Sequence, residues 1–195
     1  MARQDDPRAE YIAVATRQFA AQGYHGTSLA ALAREAGVSK QALLHFFATK
    51  ERLYTEVLEA LAARLCAEIE AAARPDPGAQ LRAYFRGLRE AALERPEDAR
   101  LVVRALLDSH EGARVWPMKP YLDRLVALVR QMPGGRDLSE AAALARVFQA
   151  IGAIQYLAIS APALSGMYGA EAAPRMAAEF DGFVAKVLAG AGPSR

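Results

Sequence analysis

One cysteine in 195 residues narrows the possibilities at once. Cys66 alone can form no internal disulfide, and so sparing a use of thiols fits a reducing cytoplasm. Histidine is nearly as scarce. His25, His45 and His110 lie far apart, and neither a His-Glu-x-x-His run nor paired cysteines occur, so neither a metal nor another cofactor is expected. No phosphate-cradling glycine loop follows a strand and no serine sits in a nucleophile elbow, which leaves an enzyme reading with little beyond Asp108 and His110. Two residues apart on a helix, those side chains do not face each other. Valine and isoleucine are sparse beside alanine, and no stretch alternates apolar with polar for long, so no sheet is expected. The apolar run from Val147 to Leu164 is interrupted by Gln149, Gln155, Ser160 and Pro162 and reads as a buried helix rather than a membrane span. The opening MARQDDPRAEYI is polar and mixed in charge, without the apolar core of an export signal. An excess of one charge is missing as well: 24 basic against 22 acidic side chains give a formal +2, too little to mark a nucleic-acid binder by itself.

What is present is helix. A hydrophobic fraction of 53% is ample for a packed core, in one domain or two small ones. Pro7 suits the first turn of a helix that carries Ile12, Ala15, Phe19 and Ala20 on one stripe and ends before Gly23. A long helix opens at Lys50 and Glu51 and runs to about Ala73, where RPDPG breaks it. Further helices are predicted over about 80–94, 97–109 and 121–131, then from Ser139 and Glu140 to about Ser160, where Pro162 and Gly166 end the helix, and from about Glu171 to Leu188. With the two short helices described next, the expectation is an all-α chain of about nine helices. Its domains are placed at residues 5–65 and 75–190.

The segment 28–47 carries the chemistry. Ser28 caps a helix whose Leu29, Leu32 and Ala33 face one way and which Ala36 closes; Gly37 gives the freedom of a tight corner, Val38 plugs it, and Ser39 caps the next helix. On that second helix Leu43 and Phe47 point inward, while Lys40, Gln41, Leu44 and His45 share the opposite face, free to enter a DNA groove.

Ile12, Ala15, Phe19, Gly23, Tyr24, Thr27, Ser28, Leu32, Ala33, Ala36, Gly37, Val38, Ser39, Leu43, Phe47, Lys50, Glu51 and Leu53 stand in an order and spacing that resembles the N-terminal domain of the tetracycline-repressor (TetR) family of transcription regulators. The resemblance spans roughly residues 5 to 65. It implies a homodimer that binds a palindromic operator on double-stranded DNA and releases it when a small molecule occupies the C-terminal domain. By position matching it places Thr27, Ser28, Phe46 and Lys50 near phosphates, with Ser39 opening the reading helix, and Lys40, Gln41, Ala42 and His45 at base edges. Gln41 stands where a small residue is common, and Leu44 replaces a tyrosine that usually donates to phosphate; Leu44 can instead press on a thymine methyl.

The C-terminal half is less explicit. Phe148, Ile151, Gln155 and Ile159 form one stripe, and Met176, Phe180, Phe183, Val184 and Val187 another, which together suit a four-helix interface between two copies. Such a two-fold dimer sets reading helices about 34 Å apart, one turn of DNA. Tyr84, Phe85, Trp116, Met118, Tyr121 and Tyr156 supply aromatic and apolar surface for a small, largely apolar effector, and Arg104, Asp108, His110 and Gln155 supply polar atoms to orient it. A helical enzyme without a recognised motif, and an architectural DNA-binding protein without a ligand, are the alternatives.

Overall fold

The computed structural model describes residues 7–107 and 116–190, and no strand occurs among the described residues. The helices are α1 Pro7–Gly26, α2 Leu29–Glu35, α3 Lys40–Phe47, α4 Lys50–Ala71, α5 Pro77–Glu94, α6 Glu97–Leu107, α7 Lys119–Gln131, α8 Glu140–Tyr168 and α9 Ala172–Ala189, with a 3-10 turn at Trp116–Met118.

Side chains write several of the helix starts. Ser28, Ser39 and Ser139 accept through Oγ from the backbone N–H of Ala31, Ala42 and Ala142 at 3.0 to 3.2 Å, and Asp76 accepts from that of Ala79 at 2.7 Å. Each satisfies a donor that the first helical turn leaves over, at about 1 kcal/mol. Asp76 also changes the reading of RPDPG. The stretch does end α4, at Ala71, but Pro77 then serves as the first residue of α5, where a missing N–H costs nothing, so α5 begins ahead of Gln80.

Pro162 does not end α8, contrary to the pattern-based boundary near Ser160; the helix continues to Tyr168 with the proline inside it. An interior proline costs about 3 kcal/mol. Packing offsets that cost, because Leu157, Ala161 and Leu164 close over Ala173, Ala177 and Phe180 of α9 and Leu93 of α5. By length and composition α8 is apolar enough to cross a membrane, yet Ala143, Val147, Ala150, Ile154, Leu157 and Ala158 are covered, and α5, α7 and α9 pack against the helix.

The chain divides into two compact units, and the division is not sequential: Met1–Ala63 with Glu97–Met118, and Arg64–Pro96 with Lys119–Arg195. In the first, Phe19, Tyr24 and Tyr54 form an aromatic core, with the Phe19 and Tyr54 rings 4.8 Å apart and nearly perpendicular. Here α6 lies along α1, although chain order places it among the C-terminal helices. In the second unit α5, α7, α8 and α9 share a core built on Leu81, Phe85, Leu125, Val129, Val147 and Ile154. Arg89 pins α5 to α9 by donating to the Ala177 carbonyl at 2.8 Å and to Asp181 at 2.5 Å.

Candidate nucleic-acid interface

Helix α3 rests on a small hydrophobic floor. Leu43 and Phe47 are buried to 1% exposure, while Lys40, Gln41 and His45 are exposed. The corner before it has the backbone the sequence implied: Gly37 adopts φ 68°, a left-handed conformation that glycine takes without a Cβ penalty, and the Ala36 N–H closes α2 on the Leu32 carbonyl at 2.9 Å. The far end of α2 is tied to α1. Gln18 donates to Glu35 at 2.6 Å, and this bond, with Arg17 alongside, holds the Glu35 carboxyl below its usual range.

The residues placed at phosphates by resemblance are not equivalent. Ser28 and Ser39 are exposed, each with its hydroxyl oxygen occupied as a cap acceptor. Thr27 is buried to 1%, and its hydroxyl donates to the Gly23 carbonyl at 2.8 Å, so its side chain is a fastening within the unit. Lys50 opens α4 with its ammonium 4.3 Å from the centre of the Tyr24 ring, and the Tyr24 hydroxyl donates to Glu51 at 2.6 Å. An ammonium at a helix N-terminus meets a dipole of its own sign, so this position is not chosen for helix stability. Ala42 and Leu44 are half-buried, which leaves Leu44 an apolar flank beside the polar side chains. Phe46 packs: its ring meets Tyr11 edge-on at 5.2 Å and His45 at 6.0 Å.

A cluster absent from the sequence reading holds the other end of α3. Glu56 on α4 is buried to 6%, and Arg8 on α1 and Arg52 both donate to it, Arg8 through Nε at 2.9 Å and Nη2 at 2.6 Å, Arg52 through Nε at 2.9 Å. Arg8 also donates to the Phe46 carbonyl at 3.2 Å and lies 4.9 Å from the Phe47 ring centre. The legible signal was an acid set between Leu53 and Val57 on the buried face of α4, which requires a cation from elsewhere.

Candidates for an effector site scatter. Tyr84 and Tyr121 come together inside the second unit with their hydroxyls 3.0 Å apart, and burial pushes both phenols well above their ordinary range. Arg104 does something different: on α6 it donates to the Ala20 carbonyl at 2.9 Å and the Ala21 carbonyl at 2.7 Å, capping α1 beside the non-helical Gly23 (φ 72°, ψ 177°). Tyr156, expected at a ligand, stands 72% exposed on the side of α8 away from Ile154 and Ala158. Asp108 and His110 lie outside the described residues, as does the side chain of Trp116, whose backbone opens the 3-10 turn. Cys66 is half-buried, and burial pushes its thiol up, away from the ionised form.

The stripes proposed for pairing divide by face. Phe148 and Phe183 are about half exposed, and Gln155, Ile159, Phe180 and Val187 are partly so. Ile151 and Val184, at 9% and 4%, belong instead to the core of their own unit, because the inner side of each helix consumes one apolar row. Beyond the predicted stripe, Tyr156 and Met167 extend the exposed apolar face of α8.

Comparison with known proteins agrees with this geometry. The family model described as "Bacterial regulatory proteins, tetR family" matches residues 12–57. The HTH-type transcriptional regulator RutR of Escherichia coli is 36% identical over 98 residues, 49% of this chain and 46% of that protein, so the chain spans about half the length of the curated relatives it matches. Two solved structures share the fold of nearly the whole chain. The fatty acid degradation regulator FadR of Bacillus halodurans aligns with TM-score 0.73 at 17% identity, covering 97% of this chain and 98% of that one. The ketosteroid transcriptional regulator KstR2 of Mycobacterium tuberculosis aligns with TM-score 0.62 at 19% identity, covering 95% of each. Residues 12–57, which lie within α1 to α4, are thus similar to the tetR family of bacterial regulatory proteins, and the chain as a whole shares the fold of the two solved regulators.

Proposed function

We propose that the protein is a cytoplasmic, homodimeric DNA-binding transcription regulator that represses from a palindromic operator and is released by a small, largely apolar effector. The observation that carries this reading is α3: eight residues seated on Leu43 and Phe47, capped by Ser39, with Lys40, Gln41 and His45 turned outward. A short helix with that division of faces presents side chains at the spacing of base edges in the major groove, while the N–H groups at its start favour phosphate. Lysine suits guanine O6 and N7, and glutamine suits adenine.

Pairing is supported by the apolar face that α8 and α9 leave uncovered, with Phe148, Tyr156, Met167 and Phe183 all more than 45% exposed. A contiguous face of large apolar side chains on a single copy marks an association surface. Gly152, exposed on α8 between Phe148 and Tyr156, lets a second helix approach closely. An apolar effector is in keeping with fold neighbours named for fatty acid degradation and for ketosteroid regulation, and the buried Tyr84 and Tyr121 hydroxyls supply polar atoms within an otherwise apolar core.

Selection of duplexes from a random-sequence pool tests the reading directly. Recovery of an inverted repeat with half-sites one helical turn apart is the expected result; sequence-independent retention indicates an architectural protein instead, and retention of no duplex rejects DNA binding. Light scattering without DNA is expected to give twice the chain mass of 21.0 kDa, and a mass near 21.0 kDa overturns the dimer.

A further inference from the structure

Eight residues are too few for α3 to hold its own direction, and its two buried side chains fix only its underside. Its end is also awkward. Ala48, which follows it, takes φ 58° and ψ −53°, a strained positive-φ, γ-turn-like conformation that a residue with a Cβ does not hold unaided. The peptide groups around that corner are tightly bound: the Ala48 N–H bonds the Leu44 carbonyl at 2.8 Å, the Thr49 N–H the Phe47 carbonyl at 2.6 Å, and the Thr49 hydroxyl accepts from the Arg52 N–H at 3.1 Å. One side chain reaches both sides of it. Arg8 donates to the carbonyl of Phe46, before the corner, and forks onto the buried carboxylate of Glu56, after it, while its guanidinium covers the Phe47 ring.

We infer that Arg8, although on the first turn of α1 and outside the helix-turn-helix, is a positioning residue for DNA reading: with Glu56 it sets the angle at which α3 leaves the domain and so aims Lys40, Gln41 and His45. This rests on the DNA-binding reading above. The planar fork is what matters, since an ammonium of the same charge cannot serve a carbonyl and two carboxylate oxygens in one plane. Tyr11, one turn along α1, adds its ring against Phe46 and Phe47 and so braces the same end.

The test uses the full-length protein and a duplex that the wild type recovers from a random pool. Arg8→Lys keeps the charge and removes the fork. The preference for that duplex over a scrambled one is expected to fall about tenfold, while affinity for the scrambled duplex and the slope of log affinity against log salt stay at wild-type values. Glu56→Gln sharpens the test, because deleting a negative charge should by electrostatics alone strengthen binding to every duplex, whereas loss of aim lowers the preference. Circular dichroism establishes that each variant retains its helix content, and amide hydrogen exchange is expected to quicken at Phe47 and Ala48 but not at Leu32 or Ala33. A reduced salt slope in Arg8→Lys would make Arg8 a phosphate contact and overturn the inference. So would wild-type preference in both variants, or equal losses on the two duplexes. Failure of the wild type to recover any duplex overturns the DNA-binding reading and this inference with it; normal recovery with unaffected variants overturns this inference alone.

Discussion

In the first unit the outer face of α3 carries Lys40, Gln41 and His45 above Leu43 and Phe47, whereas in the second α8 exposes Phe148, Tyr156 and Met167 above Val147, Ile154 and Ala158. Both helices rest on apolar floors, but α3 turns polar groups outward and α8 a second apolar row. The first suits a partner read by hydrogen bonds at base edges; the second suits a partner that removes apolar area from water. Their means of support differ too. The reader is held by directed polar contacts, at Ser39, Arg8 and Glu56, and the second unit mainly by helix faces closing on one another.

Breaking the apolar face has the largest expected effect. The double substitution Phe148→Glu with Tyr156→Glu should yield a folded monomer in sedimentation, and operator affinity should fall about 100-fold or more as the two half-sites lose their tether. A variant that stays dimeric removes α8 from the interface. Next comes the floor of the reader: Leu43, 1% exposed, should cost about 2–5 kcal/mol of stability on change to alanine, measured by denaturant unfolding. The polar face follows. Lys40→Ala is expected to relax base preference by about 1–3 kcal/mol, and Lys50→Ala to reduce the salt slope by about 1 with preference intact. Equal effects of the two in one titration would erase the distinction between reading and gripping. Ser39→Ala, which removes only a cap, should lower stability by about 1 kcal/mol, visible as a small drop in melting temperature. The smallest effect belongs to Cys66. With its thiol pushed up by burial, a smaller share is thiolate at neutral pH than in a free cysteine, so iodoacetamide should label it more slowly than a cysteine peptide; faster labelling would contradict the burial argument.

Much of the reader was legible because its determinants are local. Ser28, Gly37 and Ser39 each act on backbone within three residues, and Leu43 with Phe47 declares a face by spacing alone. The candidate site was less complete. Thr27 turns its hydroxyl inward to Gly23, and Arg8 and Glu56 meet across 48 positions of sequence, a distance at which no periodicity speaks. Candidates for an effector fared worst. A tyrosine on a helix has the same sequence signature whether it faces a core, as Tyr84 and Tyr121 do, or water, as Tyr156 does. Two apolar rows on one helix likewise cannot be ranked until neighbouring helices choose one, and on α8 they chose Ile151 over Phe148.

What the sequence determined unaided is the helical character of the chain, most helix starts and the two-faced reading helix, since caps, glycine corners and apolar spacing act over a single turn. Tertiary structure alone decided that α6 joins the first unit through Arg104, that α8 runs on through Pro162, and which apolar row stays outside. Those outcomes come from burial and hydrogen bonding summed over partners far apart in the chain, and such sums exist only once the chain has folded.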